Sequence, residues 1–236
     1  MNSTMNPGRF AGLLYVLASI PGAFALVYVP SKLIVHGDAA ATASNITASE
    51  TLFRAGIACN LISEILFMWV ALALYDLLKG VNQRQASVML GLIVVSVPIA
   101  LLNELNSIAA LILVRGADFL SVFEKPQRDA LAMLFLNLHG RGFDIAGIFW
   151  GLWLFPLGLL VYRSGFPRIL GILLMVGCFA YVVDSFTFLL LPHHRDIVSR
   201  WAMPLRSGEL VFMFWLLIIG AKPKPLADPA SSRAVG

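Results

Sequence analysis

Apolar residues fall into long blocks along this chain, and short polar stretches separate the blocks. A helix needs about 20 predominantly apolar residues to cross a hydrocarbon core about 30 Å thick. Blocks of roughly this length or longer are expected near residues 10–29, 51–77, 86–114, 143–162, 169–191 and 201–221. The pattern therefore predicts an all-α fold, an integral membrane bundle of six transmembrane helices.

The polar stretches divide the rest of the chain. We expect residues 1–221 to form a single transmembrane helical domain and residues 222–236, which begin with Lys-Pro-Lys-Pro, to form a disordered cytoplasmic tail. Residues 36–50 are rich in Ala, Ser and Thr and predict a loop. Residues 130–138 predict a short interfacial helix or a first turn that leads into the fourth span.

Glycine and proline positions modify this picture inside the spans. Gly147 and Gly151 are four residues apart on a helix, a spacing of small residues that lets a neighbouring helix approach closely. We expect this face to pack tightly and to offer a contact for an oligomer. Pro21 and Pro156 each remove a backbone N–H from a span and predict a kink there.

Composition agrees with a chain embedded in lipid. Apolar residues make up 59% and charged residues 13% of the sequence, against about 45–50% and about 25% in soluble domains. The net charge is +4, but basic residues such as Lys79, Arg84, Arg163 and Arg168 lie beside the apolar blocks, where they orient helices and meet anionic head groups. We expect the lipid bilayer as partner, no nucleic acid, the bacterial cytoplasmic (inner) membrane as location, and both termini in the cytoplasm.

Polar residues inside the spans share helical faces. Asn60 and Glu64 in the second span are four residues apart and therefore neighbours on one face. Asn103 and Ser107 in the third span are related in the same way, and Glu104 lies beside them. With the predicted orientation, the charged residues of the spans lie at the membrane midplane or beyond it. This distribution predicts a polar pocket in the outer half of the bundle.

More polar residues lie at the start of the fourth span and in the fifth. His139, Arg141 and Asp144 are close in sequence, and Asp184 lies inside the fifth apolar block. Each is costly in lipid unless it is paired or hydrated. The predicted ligand-binding set is Glu64, Asn103, Glu104, His139, Arg141, Asp144 and Asp184.

Two interpretations of these residues remain open. In the first, the charges only satisfy one another: Arg54 pairs with Glu64 or Glu104, and Arg141 pairs with Asp144. In the second, they line a water-filled pocket that opens to the outer face. Acids outnumber bases within the spans, which favours a cation, a proton or a carboxylic acid held in its neutral form.

The same residues bear on metal binding and on enzyme chemistry. A metal site needs convergent His, Asp, Glu or Cys side chains, and the adjacent pair His193 and His194 does not supply a helical ligand spacing, so we expect no metal and no cofactor. The sequence contains no nucleophile elbow, phosphate loop or dinucleotide fingerprint. An enzyme would depend either on carboxylate acid–base chemistry, with Glu64 or Asp184 as acid and His139 as a candidate base, or on a metal ion.

Several motifs in the second half of the chain resemble a known family. They are Asp144 followed by Gly-Ile-Phe-Trp-Gly at 147–151, Gly-Leu-Leu-Val-Tyr-Arg-Ser-Gly-Phe-Pro-Arg-Ile-Leu-Gly at 158–171, Tyr-Val-Val-Asp at 181–184, and the Asn-Glu pair at 103 and 104. The chain is similar over nearly its whole length to the bacterial membrane proteins grouped as domain of unknown function 4386. The resemblance implies a multi-pass membrane protein and supplies no catalytic residues.

These observations lead to one preferred function and two alternatives. We expect the protein to bind or translocate a small ligand or cation in the polar pocket. The first alternative is a membrane-embedded enzyme that acts on a lipid or an isoprenoid. The second is a structural or interaction subunit without chemistry of its own.

Overall fold

The computed structural model describes residues 6–220, and these residues form helices joined by short connections. No β-strand occurs within this range. The α-helices are α1 (Pro7–Ala23), α2 (Val29–Leu33), α3 (Ala39–Ala48), α4 (Glu50–Leu78), α5 (Gln83–Arg115), α6 (Lys125–Leu152), α7 (Leu154–Arg163), α8 (Arg168–Leu190), α9 (Arg195–Arg206) and α10 (Gly208–Ile219). A π-helical segment, Phe24–Tyr28, joins α1 to α2, and short 3-10 helices occupy Asp118–Leu120 and Pro192–His194.

Six helical segments within residues 6–220 are long and apolar enough to cross a membrane. They are Pro7–Leu33, Glu50–Leu78, Gln83–Arg115, Lys125–Arg163, Arg168–Phe188 and Arg195–Ile219. The predicted fold class is confirmed, and the chain is a multi-pass membrane protein. The predicted tail, residues 222–236, lies outside the described residues.

The connection after the first span is helical, so the prediction of a loop at residues 36–50 was wrong. Asp38 caps α3, because its carboxylate accepts a hydrogen bond from the backbone N–H of Ala41 at 2.8 Å. Such a cap satisfies a donor that the first turn of a helix leaves free. Thr42 also ties α3 to the chain before it, since its hydroxyl accepts from the N–H of Val35 at 3.0 Å.

The fourth span begins earlier than the apolar pattern predicted. The helix α6 starts at Lys125 and runs without a break through residues 130–138, so these residues extend the start of the fourth span and do not form a separate interfacial helix. Pro126 is placed where proline is favoured, in the first turn, because its missing N–H would have no partner there. Lys125 and Asp129 pair at 2.6 Å across this turn. The sixth span likewise begins before Trp201, at Arg195.

The first span contains a wide turn after Pro21. Proline lacks the N–H that would bond to the carbonyl four residues earlier, and the π-helical segment Phe24–Tyr28 follows within one turn. Pro30 then occupies the start of α2. The span therefore continues to Leu33 as a helix whose turn is locally widened.

Two compact units are described separately. Unit 2 consists of Leu17–Phe67 and Ser96–Ala146. Its apolar core brings together side chains from the end of the first span, α3, α4, α5 and α6. Core members include Val29, Leu33, Ile46, Phe53, Leu111 and Leu136.

Unit 1 consists of Met1–Val16, Met68–Val95 and Gly147–Gly236, as far as these are described. Its buried core includes Leu74, Met89, Trp153, Leu157, Leu174 and Phe212. The helices α7 and α8 approach closely where two glycines meet. A Cβ atom added to Gly158 would lie 2.7 Å from the carbonyl oxygen of Gly171.

The glycine pair predicted to allow close packing is in contact with α8. A Cβ atom at Gly147 would lie 3.1 Å from the Ser185 hydroxyl, and one at Gly151 would lie 2.7 Å from Cβ of Tyr181. The close approach that these glycines permit is therefore made within the chain. An oligomer contact at this face stays a prediction.

Candidate functional site

A cluster of polar side chains in unit 2 joins α4, α5 and α6, and we call it the Glu104 cluster. It consists of Asn60, Asn103, Glu104 and His139. Oε1 of Glu104 lies 2.7 Å from Nε2 of His139 and also accepts a hydrogen bond from Nδ2 of Asn60. Glu104 is buried, with 3% of its side chain exposed. One carboxylate thus holds three helices together.

Asn103 holds His139 through the backbone of α6. Its Nδ2 donates to the backbone carbonyl of His139 at 2.7 Å, and its Oδ1 accepts from Nδ2 of Asn106 at 3.0 Å. A Cβ atom at Gly142 would collide with the Asn103 side chain, so the glycine leaves room for this contact. The ring of Phe143 packs edge-on against the His139 imidazole, with 4.8 Å between the two ring centres. The histidine is therefore held by its backbone and by its ring.

The cluster has more acceptors than donors. Oδ1 of Asn60 is buried and has no hydrogen-bond partner among residues 6–220, and the same holds for Oε2 of Glu64. Glu64 lies one turn from Asn60 on α4 and is close enough to Glu104 for the two carboxyl groups to interact electrostatically. Within the described chain, His139 is the ion-pair partner of Glu104, and neither carboxyl group is paired with Lys or Arg.

A small cavity of about 50 Å³ borders the cluster. Most of its wall is apolar, and its polar residues are Asn60, Glu104, Ser107 and His139. The apolar wall includes Val29, Pro30, Leu33, Phe53 and Leu136, which come from the first span, α4 and α6. One water needs about 10–15 Å³ by this measure, so the cavity holds a few water-sized particles.

The depth of the cluster follows from helix geometry. Glu64 lies midway between Glu50 and Leu78 in α4. Glu104 lies beyond the centre of α5, by about 7.5 Å toward Arg115, at a rise of about 1.5 Å per residue. The cluster thus lies between the middle of the spans and the side with the connections 34–49 and 116–124. That this side faces the cell exterior stays a prediction.

Unit 1 contains a second polar cluster, which we call the Arg206 cluster. It consists of Arg206, Asp184, Tyr181, Tyr15 and Glu209. Arg206 donates to the Asp184 carboxylate, and its guanidinium lies over the Tyr181 ring at 4.6 Å from the ring centre. The Tyr15 hydroxyl donates to the Glu209 carboxylate. Each acid here has a donor, and one of these donors is a cation.

The remaining predicted site residues are not in the cavity wall described above. Arg141 is exposed on α6, and Asp144 is partly buried one turn further along. Asp184 belongs to the Arg206 cluster. Glu64 belongs to unit 2 but lies beyond the cavity lining. Of the predicted set, Glu104 and His139 line the cavity, and Asn103 supports His139 from the next position on α5.

The pairing of Arg54 with Glu64 or Glu104, which belonged to the first of the two interpretations, was wrong. Arg54 pairs with Glu50 at 2.7 Å, one turn away at the exposed start of α4. The local i, i+4 partner is available without crossing to another helix. Among residues 6–220, no group of three or more His, Cys, Asp and Glu side chains is arranged to hold a metal ion.

The predicted set left out two cavity residues, Asn60 and Ser107. Both carried a usable signal. Asn60 lies one helical turn before Glu64, and Ser107 lies one turn after Asn103, so each shares a face with a residue that was selected.

Comparison with known proteins supplies a family and one distant relative. A family model described as "Domain of unknown function (DUF4386)" matches residues 10–220. An uncharacterized protein of Archaeoglobus fulgidus is 38% identical over 80 residues, a match that covers 34% of this chain and 46% of that protein. The match thus spans about half of the relative's length. No solved structure matches the chain.

Proposed function

The chain belongs to the family described as domain of unknown function DUF4386, as its motifs predict, and we propose that it binds a small monovalent cation at the Glu104 cluster. The observation that carries the proposal is the excess of buried acceptors. Asn60 Oδ1 and Glu64 Oε2 have no hydrogen-bond partner among residues 6–220, and they lie beside a second carboxyl group. A cation is a ligand for oxygen atoms of this kind, and Asn60 and Glu104 line the cavity that would hold it.

Charge balance supports a cation as the ligand. An ionised carboxylate inside a membrane is costly unless it is paired. His139 can compensate one carboxylate at most, and Glu64 has no cationic partner in the part of the chain that is described. The second negative charge is therefore neutralised either by a proton or by a bound cation. A cation and a proton would compete for this site.

The chemistry of the donor atoms narrows the choice of cation. Carboxylate, amide and hydroxyl oxygens from Glu104, Asn60 and Ser107 suit hard cations. Soft metals prefer several imidazole or thiolate ligands, whereas the described wall contains a single histidine, His139. Sodium, potassium or an ion of similar size such as ammonium fits this set best.

The size of the cavity argues against a large ligand. Sites for drug-sized molecules measure about 300–1,000 Å³, whereas this cavity measures about 50 Å³. The alternative, an enzyme acting on a lipid or an isoprenoid, requires an opening of the helices before the substrate can reach His139. Asp184, one of the two acids considered for that reaction, forms an ion pair with Arg206 through one of its two carboxylate oxygens. The cation proposal needs no such opening.

The experiment compares thermal unfolding of the purified full chain in sodium, potassium, ammonium and choline chloride at equal ionic strength. At a concentration of about 100 times Kd, a bound ligand stabilises the folded state by about 2.7 kcal/mol. We expect one of the small cations to raise Tm relative to choline, and Glu104→Gln to abolish that rise. The effect should weaken as pH falls, because protons compete for the carboxylates.

The matched control is Glu209→Gln, which makes the same change at a partly buried acid of the Arg206 cluster. It should leave the rise in Tm unchanged. An equal rise in wild type and Glu104→Gln, or an equal loss in both variants, would contradict the proposal. Ion flux into proteoliposomes tests translocation separately, and Glu104→Gln should stop it.

A further inference from the structure

A larger cavity, of about 470 Å³, lies in unit 1 between the start of α5 and the helix α7. We call it the α5–α7 groove. Its wall includes Asn82, Arg84, Gln85 and Val88 from the α5 end and Phe155 and Leu159 from α7. None of these residues belongs to the Glu104 cluster, and the cation proposal does not use them.

The groove has a polar end. Arg84 is exposed, and it forms no ion pair with any residue in 6–220. Gln85 is partly buried, and its Oε1 atom is fully enclosed without a hydrogen-bond partner among the same residues. Asn82 is already engaged, because its Oδ1 accepts from the backbone N–H of Gln85 at 3.0 Å. The Arg84 cation thus remains available at the mouth of the groove, whereas Oε1 of Gln85 is enclosed.

The other end of the groove is apolar. Val88 lies one helical turn beyond Arg84 on α5, and 51% of its surface is exposed. Phe155, 40% exposed, and Leu159 lie one turn apart on α7. Polar residues therefore occupy the end of the span, and apolar residues occupy the part that lies deeper. The same order occurs along a phospholipid, in which a polar head group precedes the apolar acyl chains.

We propose that the α5–α7 groove binds one phospholipid molecule. The phosphate pairs with Arg84, as anionic head groups do with basic residues at span ends. One acyl chain lies along Val88, Phe155 and Leu159. A volume of about 470 Å³ is within the range of sites that enclose organic ligands.

The observations favour a lipid over a second copy of the chain or a peptide. The apolar wall belongs to two spans, so it faces acyl chains wherever protein does not cover it. The unpaired positive charge lies at the end of the groove that meets head groups, and it complements a phosphate. A protein partner would need its own acid at this depth.

The test is native mass spectrometry of the delipidated full chain in detergent, titrated with phosphatidylglycerol. We expect one molecule to bind more tightly than the rest. Arg84→Gln should weaken that site by about tenfold or more, since it removes a charge-assisted hydrogen bond. Arg163→Gln is the matched control, because it removes an equal charge from an exposed residue at the end of α7 that does not line the groove.

Three outcomes would overturn the proposal. They are unchanged binding in Arg84→Gln, an equal loss in Arg163→Gln, and equal binding of diacylglycerol, which lacks a phosphate. Competition by soluble glycerol phosphate as strong as by the lipid would also contradict it, since the acyl chain would then contribute nothing. Val88→Trp, which fills the apolar end, should reduce phosphatidylglycerol binding while the chain keeps its thermal unfolding midpoint.

Discussion

The Glu104 cluster and the Arg206 cluster contain similar residue types but differ in the balance between acidic and basic side chains. In unit 1, Asp184 accepts a hydrogen bond from an arginine, and Glu209 accepts one from a tyrosine hydroxyl. In unit 2, Glu104 has a histidine and an asparagine amide, while Glu64 has an oxygen without a partner in the described chain. In the first cluster the charges of Asp184 and Arg206 balance, although Oδ1 of Asp184 and Nε of Arg206 also lack a hydrogen-bond partner among residues 6–220. The second cluster is short of positive charge, and a cluster that lacks a positive charge is the better candidate for a cation site.

The balance of charges also indicates what each cluster contributes to the stability of the fold. Removing one member of a buried ion pair leaves an uncompensated charge and costs about 3–5 kcal/mol. A ligand site tolerates such a deficit, because binding of the ligand restores the charge. The comparison therefore predicts large structural effects in unit 1 and ligand-dependent effects in unit 2.

The largest effect is expected from Arg206→Gln. It leaves the Asp184 carboxylate without its cation and should lower the free energy of unfolding by about 3 kcal/mol. Chemical denaturation in detergent measures this loss. The double variant with Asp184→Asn should recover most of it, and the cation-dependent rise in Tm should persist in both. A loss well below about 1 kcal/mol would show that the pair is not needed.

A smaller effect is expected from Asn60→Leu. The change removes a donor from Glu104 and an acceptor from the cavity, and an unmade buried hydrogen bond costs about 1–3 kcal/mol. Stability without cation should fall by that amount, and the cation should bind roughly tenfold more weakly. Ser63→Ala is the control on the same helix. It removes the hydrogen bond to the Ala18 carbonyl and should leave cation binding intact.

Two glycine substitutions, one beside each cluster, distinguish the roles of the two clusters. Gly142→Ala forces a methyl group against Asn103, and Gly151→Ala forces one against Tyr181. Overpacking costs about 1–3 kcal/mol, but alanine gains about 1 kcal/mol over glycine in a helix, so each should lose about 1 kcal/mol. Thermal unfolding with and without cation should show a weaker cation response in Gly142→Ala alone. An equal response in both variants would contradict the assigned role of Asn103.

The smallest effect is expected from Arg54→Gln. Arg54 and Glu50 form an exposed pair on one helix, Arg115 lies 3.7 Å from the same carboxylate, and exposed pairs of this kind contribute little to stability. The free energy of unfolding should therefore stay close to the wild-type value, and cation binding should be unchanged. A loss as large as that of Arg206→Gln would mean that Arg54 has a buried partner instead.

The spans and part of the site could be predicted because both depend on local patterns. Apolar block length predicts the helices, and spacing on a face predicts that Asn103 and Glu104 point inward. The pairing of Asp184 with Arg206 could not be predicted, because it joins α8 to α9 and no local rule selects that partner. The partner of Arg54 could have been predicted by a local rule, because Glu50 lies one helical turn away on the same helix.

The helical connection α3 was missed for a related reason. Alanine, serine and threonine in residues 36–50 suggested a loop by composition, whereas Asp38 at its start is a helix cap. The capping signal was present in the sequence and outweighed the composition. The balance of donors and acceptors around Glu104, by contrast, depends on which side chains meet across helices, and only the structure shows it.

The wide turn at Phe24–Tyr28 has a consequence for comparing family members. A π-helical turn holds one residue more than an α-helical turn, so a relative that lacks one residue here could close the turn and keep Val29 and Leu33 facing the same neighbours. Elsewhere in a span, a single deletion rotates every later side chain by about 100°. A one-residue gap between Pro21 and Val29 in an alignment is thus compatible with an unchanged cavity wall.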